Sequence, residues 1–339
     1  KVAEKVENKH GAILVSPGTI LTRKIIGKLS MAGIESVTIY QGEKEKSDEE
    51  LGEQLKEIKY EEKIDKMKDI FADIKSRNRV DETEVKEAVS DLMTIDNNLD
   101  IMDLLSDIRS KDNYTYSHSV NVGLMAMMFG GWLDLEEKEI KKLTYAGFLH
   151  DIGKARIPEE ILHKNGPLTR EEYEIAKKHA VEGYKIVKDN ILISDKTAQA
   201  VLLHHERKDG SGYPMGLKGD KIPLFAKILG IVDTFDAMTS DRPYKKHEVP
   251  FNVLKMLNRD SFHSFDISLL DVFTKNIASY YQGEKVILSN DEEGEVVFID
   301  PEKPTSPIIK VSDRFIDLRK SDLYIKDLVE ESVNESTLS

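Results

Sequence analysis

The sequence predicts a mainly α protein, an all-helical core carrying a small N-terminal α/β module and a small C-terminal β appendage. Three observations carry that expectation. Residues 99–275 keep helical apolar spacing, broken by loops that contain Gly and Pro, with no convincing alternating strand. After Tyr280 the pattern changes to short β-rich runs, KVILS, GEVVFID, PIIKV and FIDL, separated by Asn-Asp, Gly and Pro clusters, which suggest three or four strands. Residues 11–41 read strand, Pro-Gly turn, amphipathic helix with Ile20, Leu21, Ile25, Ile26 and Leu29, then the strand-like SVTIY.

At 339 residues the chain exceeds the usual size of one domain. Composition shifts divide it into an accessory module at 1–42, a charged helical linker at 43–98, an all-helical core at 99–280 and a β-rich appendage at 281–339. A hydrophobic fraction of 40% suffices for a core. Cysteine is absent, which excludes disulfides and thiolate metal sites and leaves His, Asp and Glu as ligands, in keeping with a reducing, cytoplasmic setting. No run approaches a membrane span and no signal-peptide pattern opens the chain. A net charge of −13 argues against a DNA or RNA polymer as partner, whereas a small anionic substrate needs only local positive charge.

The first module, at about forty residues, buries little by itself and is expected to lean on another part of the chain. In the linker, EKEKSDEE and KIDKMKDIFADIKSR surround Ile58, Ile64, Met67, Ile70, Phe71 and Ile74 at helical spacing. Such segments are solvated helices with a narrow buried stripe, and their heptads do not persist long enough for a coiled coil.

The core is organised around YAGFLHDIGKAR, Tyr145 to Arg156. Leu143, Ala146, Gly147, Leu149 and Ile152 recur at helical spacing, and Gly153 stands where a helix C-cap would turn the chain. Neighbouring helical residues point about 100° apart, so His150 and Asp151 do not share a face. From a helix end they can still reach one cavity, with the two carboxylate oxygens bridging a pair of ions.

Other candidate ligands arrive at helix ends and on buried faces. His118 lies in YTYSHSVNVGLMAMMF, His179 in EEYEIAKKHAVEGYKIV, His204 and His205 close AQAVLLHH, and Asp233 lies in AKILGIVDTFDAMTS. Singly, each has a packing explanation, because a buried helical His is more often packed than ligating. Of nine histidines, the remaining four, His10, His163, His247 and His263, sit in polar or loop contexts and receive no role. Five imidazoles and two carboxylates exceed the needs of one tetrahedral zinc but suit two octahedral ions sharing a carboxylate. Two ions about 3.5 to 4 Å apart support in-line phosphoryl displacement, so the expected reaction is phosphoester hydrolysis.

The HDIGK segment at 150–154, HHERKDGSGYP at 204–214 and VDTFDAMTSDRPY at 232–244 resemble the signature of the HD-GYP family, bacterial phosphodiesterases acting on cyclic di-GMP. The resemblance covers about residues 99–280 and implies an HD-type helical core that hydrolyses cyclic di-GMP to linear pGpG through a bridging hydroxide. It implies His118, His150, Asp151, His179, His204, His205 and Asp233 as ligands of two divalent ions, iron or manganese, with Asp151 bridging. Lys154 matches the residue that meets the scissile phosphate, Tyr213 an aromatic substrate contact, and Arg242 and Lys245 the basic residues that hold the second phosphate. By position alone, Lys154 reads as a helix C-terminal cation, GSGYP as a turn and RPYKK as a solvated loop. Three-metal members carry a Glu one helical turn before the first ligating His, where this chain has Tyr114, a poor ligand at neutral pH. No residue selects the base, so a phosphodiesterase for cyclic GMP–AMP is the alternative. A non-catalytic cyclic-dinucleotide receptor is the second alternative, against which the intact ligand positions count, and a homodimer is compatible with any of these.

Overall fold

The computed structural model describes residues 2–7, 13–15, 64–76, 82–93, 114–188, 193–240, 248–260 and 263–329, with positions 19, 21, 25, 29, 34, 36–39 and 62 besides. The fold is mainly helical with a C-terminal antiparallel sheet, as the sequence patterning predicts. In chain order come strands β1 (Val6–Glu7) and β2 (Ile13–Val15), and helices α1 (64–76), α2 (Glu82–Leu92), α3 (Tyr114–Trp132) and α4 (Glu137–Leu149). A 3-10 turn at Ile152–Arg156 leads to α5 (Glu159–Leu162), α6 (Arg170–Ala176), α7 (Lys178–Lys188), α8 (Asp195–Leu203), α9 (Leu224–Thr239), α10 (Pro250–Asp260) and α11 (Ile267–Tyr280). Strands β3 (Lys285–Leu288), β4 (Glu293–Phe298), β5 (Ile308–Val311), β6 (Arg314–Asp317) and β7 (Ile325–Leu328) follow.

At the N-terminus β1 and β2 pair antiparallel, and Val2 bridges Ile39. Val2, Val6, Val15, Ile25 and Leu29 form an apolar cluster separate from the main core. Among the described residues, the strand expected at SVTIY is represented by the Ile39 bridge, and β1 has too few apolar residues to announce itself in sequence.

The charged stretch before the core buries the stripe its spacing predicts. Ile64, Met67, Ile70, Phe71 and Ile74 of α1, with Val85, Ala88 and Val89 of α2, belong to the same apolar cluster as α3, α4 and α9. Burial of such side chains contributes about 1.5 to 3 kcal/mol each relative to exposure, an upper estimate that ordering entropy offsets.

The C-terminal strands form one sheet in the order β6-β5-β4-β3-β7, all neighbours antiparallel. That is five strands where the sequence suggests three or four. β7 escapes because IKDL shows one buried residue, Ile325, among polar neighbours. Val286, Leu288, Val296, Ile309, Val311 and Ile325 turn inward and complete the main core, so the sheet closes one side of the helical body.

Two close approaches set the helices that frame the centre of this body. A Cβ at Gly147 of α4 would lie 2.8 Å from the carbonyl oxygen of Val122 and 2.9 Å from the Cα of Gly123, so α3 and α4 cross backbone to backbone. The second is at Gly153, expected from sequence to cap α4. Instead, α4 runs through His150 in helical conformation (φ −55°, ψ −37°) into the 3-10 turn, and Gly153 sits inside that turn. A Cβ there would overlap the carbonyl oxygen of His179 and the amide of Gly183, so the glycine serves contact with α7 rather than chain reversal. An aromatic group, Phe129 of α3, Phe235 of α9 and Phe273 of α11, with ring centroids 5.2 and 5.3 Å from Phe273, ties α3 and α9 to α11.

Gly153→Ala is therefore expected to destabilise the protein by at least about 2 kcal/mol, since backbone must move to admit the methyl group. Gly131→Ala, on α3 with no atom within 4 Å of its would-be Cβ, should be neutral or stabilise by up to about 1 kcal/mol through helix propensity. Denaturant unfolding of the two variants checks this, and equal destabilisation would refute the packing explanation.

Candidate metal centre

His150 is the C-cap of α4 and Asp151 the residue that leads into the 3-10 turn, so both side chains leave a helix end pointing into the body. His150 and His204 are fully buried, and His118, Asp151, His179 and Asp233 are nearly so. His118 projects from α3, His179 from the start of α7, His204 from the C-cap of α8, and Asp233 from α9. The glycine contacts and the aromatic packing just described hold α3, α7 and α9 in this arrangement.

Three of the imidazoles are oriented by one device. His150 Nδ1 lies 2.8 Å from the carbonyl oxygen of Gly147, His179 Nδ1 2.8 Å from that of Ala176, and His204 Nδ1 2.7 Å from that of Val201. Each acceptor is three residues back, in the last turn of a helix, where carbonyls have no intrahelical partner. The ring donates Nδ1–H outward and presents the Nε2 lone pair to the centre. His118 differs, its Nδ1 lying 2.6 Å from Asp236 Oδ2.

The inward nitrogens crowd one another. His150 Nε2 lies 3.2 Å from His118 Nε2, His179 Nε2 3.4 Å from His204 Nε2, and His205 Nε2 3.1 Å from His179 Nε2. Asp151 stands between two groups. Its Oδ2 is 3.3 Å from His150 Nε2 and 3.6 Å from His118 Nε2, whereas Oδ1 is 3.4 Å from His179 Nε2. Ligand atoms of Asp151, His179, His204 and His205 all lie within 4.8 Å of one another, and so do those of His118, His150 and Asp151. Asp233 completes the enclosure, Oδ1 3.1 Å from His118 Nε2 and Oδ2 3.8 Å from His205 Nδ1. Nitrogen lone pairs converging on carboxylate oxygens repel unless positive charge lies among them, so this donor set fits divalent cations.

The protonation states point the same way. Burial pushes His204 well below the usual imidazole range and His205 down to about 3, with neighbouring imidazoles disfavouring charge further. Burial likewise lowers His179. Burial would raise Asp151, but the Lys154 ammonium beside it holds it well below the usual carboxylate range. Asp233 is held down against burial chiefly by its hydrogen bond with His118. His118 is the exception, raised to about 9 because its bonds to Asp233 and Asp236 outweigh the effect of burial.

Among the described residues the centre meets solvent at Lys154 and His205, which keep 27% and 20% of their side chains exposed, and less at Asp233, which keeps 12%. Lys154 Nζ donates to Asp151 Oδ2. Tyr213 stacks on His205 with ring centroids 4.6 Å apart and planes at 29°, so part of its contribution is to fix that imidazole. The loop bearing Tyr213 is anchored by buried Glu206, which accepts from the Met215 amide at 2.6 Å and the Leu217 amide at 2.8 Å. Arg242 and Lys245 lie outside the described residues, as does the side chain of Tyr114, which opens α3.

The structure thus brings together His118, His150, Asp151, His179, His204, His205, Asp233, Lys154 and Tyr213. Sequence reading assigned nothing to Asp236, Asn121 and Glu206. Asp236 could have been found, since it stands three residues after Asp233 and Asn121 three after His118, placing each pair on one helix face. Glu206 stood in the HHERKDGSGYP motif, but nothing in its spacing reveals that it accepts from two loop amides.

Divalent cation uptake is expected to raise the melting temperature, with about 2.7 kcal/mol of stabilisation at a hundredfold excess over Kd. At pH 7.5 the ligands should release about one proton per chain, from His118, because His179, His204 and His205 already stand neutral, with any further proton coming from bound water. Calorimetric titration in buffers of different ionisation enthalpy measures that number. Release of about three protons would show that the buried imidazoles are charged before cations arrive.

Comparison with known proteins agrees with the architecture. Residues 102–269 match the HD domain family. A cyclic di-GMP phosphodiesterase from Pseudomonas aeruginosa is 36% identical over 210 residues, 61% of this chain and 50% of that protein. A 3′3′-cGAMP-specific phosphodiesterase from Vibrio cholerae is 33% identical over 200 residues, 59% of this chain and 45% of that protein. The chain therefore spans about half the length of the curated relatives it matches. Among solved structures, an HDG"Y"P protein from Bdellovibrio bacteriovorus superposes with a TM-score of 0.55 at 17% identity, covering 66% of this chain and 71% of that one, a likeness of fold. Residues 102–269 thus form an HD domain, with the HD pair at 150–151 and the GYP triplet at 212–214 in place within it.

Proposed function

We propose that the protein is a metal-dependent phosphodiesterase that opens cyclic di-GMP to linear pGpG. The observation that carries this reading is the sharing of Asp151, whose two oxygens face two separate groups of imidazoles. On this reading His118, His150 and Asp151 hold one cation, Asp151, His179, His204 and His205 a second, and Asp233 closes the pair. Two divalent ions, iron or manganese, would supply an activated water and withdraw charge from the phosphoryl oxygens. The relatives support the substrate class, and the absence of any membrane-spanning helix among the described residues is compatible with the cytoplasmic setting included in this reading.

The chain's own residues bind and orient. Lys154 keeps Asp151 ionised, and its ammonium group carries three donors, so it can hold Asp151 and a phosphoryl oxygen together. Tyr213, stacked on His205, gives a nucleobase or ribose a flat apolar wall. Arg242 and Lys245 are assigned to the second phosphate by the RPYKK motif, an Arg fork matching phosphate geometry. In the net reaction one water is consumed. Its oxygen ends on phosphorus, the bond from phosphorus to the 3′-oxygen breaks, and a proton ends on that oxygen.

A second reading, hydrolysis of cyclic GMP–AMP, is favoured by the similarity to the Vibrio cholerae enzyme. Metal analysis of anaerobically purified protein, with turnover of both dinucleotides followed by chromatography, decides between them. We expect two metals per chain, preferential cleavage of cyclic di-GMP, and accumulation of pGpG with slow conversion to GMP, because Tyr114 replaces the carboxylate of a third site. Cleavage confined to cyclic GMP–AMP would establish the second reading. Tight binding without turnover in metal-loaded protein would make the chain a receptor.

Arg242→Ala is expected to raise KM by about tenfold or more through loss of a charge-assisted contact, with metal content unchanged. Loss of metal with normal substrate affinity would show that the RPYKK segment supports the centre instead.

A further inference from the structure

The two groups of ligands are supported differently, and the difference lies in what each imidazole has behind it. His150, His179 and His204 each donate Nδ1–H to a neutral carbonyl at a helix end. His118 is the fifth residue of α3, where the carbonyls one turn back are engaged in the helix ladder. A side chain must do what helix ends do elsewhere. Asp236, 4% exposed on α9, lies with Oδ2 2.6 Å from His118 Nδ1, and its Oδ1 accepts from Asn121 Nδ2 at 3.0 Å.

We infer that Asp236 is a positioning residue that makes the two metal sites unequal, the His118–His150–Asp151 site binding its cation more tightly than Asp236-free geometry would allow. This inference rests on the two-cation reading above. A carboxylate behind an imidazole fixes the tautomer as a carbonyl does, and its full negative charge also raises the electron density offered at Nε2. Asn121 adds a constraint. Asp236 offers an acceptor oxygen to each of two donors, His118 Nδ1–H and Asn121 Nδ2. An asparagine at 236 has one acceptor oxygen, so one donor loses its partner, or His118 turns over to carry its proton at Nε2 and ceases to be a ligand.

Manganese binding by Asp236→Asn and wild-type protein tests this, using calorimetric titration and competition with a metal-buffering chelator, circular dichroism confirming the fold. Wild type should bind two ions. In the variant the affinity for one ion should fall by about 10- to 100-fold while the other stays within about twofold. Asn121→Ala, which leaves the carboxylate in place but removes one of its donors, should weaken the same ion by a smaller factor, and it carries the test if Asp236→Asn does not fold. Both ions unchanged, or both weakened equally in a folded variant, overturns the role of Asp236. Failure of wild type to bind two ions overturns the two-cation reading itself and the inference with it.

Discussion

A carboxylate buried between imidazoles on two sides is the constraint on which the rest of this structure depends. Asp151 is 2% exposed, and burying an ionised carboxylate is costly unless charge and hydrogen bonds compensate it. Lys154 supplies part of that compensation from the next turn of the chain. The remainder comes from groups on α3, α4, α7 and α8, which must all arrive at one point. Their packing is best understood as the means of delivering those groups.

The delivery relies on backbone surfaces as well as on side-chain packing. At Gly147 and Gly153 the chain presents no Cβ, and neighbouring helices approach to backbone contact. Helix ends are then used twice. Their unpaired last-turn carbonyls, which would otherwise need water or a cap, accept from His150, His179 and His204. Placing a ligand at or just beyond a helix terminus therefore satisfies the helix and orients the ring in one contact.

Much of this was legible in the sequence. The HD pair, the HH pair and the helical spacing around them announce both the α-helical body and the convergence of ligands, because apolar periodicity reports burial directly. What was not legible depends on partners distant in the chain. Gly153 looks like a helix cap because that is the common local use of such a glycine, and only the approach of α7 reveals the other use. Nothing near Ile325 indicates a strand, since β7 is recruited by β3 rather than by its own alternation. The stripe of α1 was visible, yet which core it enters was not, for periodicity gives a face and no address. Asp236 shares a helix face with Asp233, but that its partner is His118 on α3 shows only in the fold.

The carbonyls that orient three of the imidazoles belong to the peptide backbone, and every amino acid supplies the same one. Codon changes at Gly147, Ala176 or Val201 can disturb packing, but they cannot delete the acceptor. His118 has no such insurance, because its acceptor is encoded by a side chain. Along a lineage, mutational drift can therefore reach the support of this histidine through a single codon, while the supports of the other three are out of its reach.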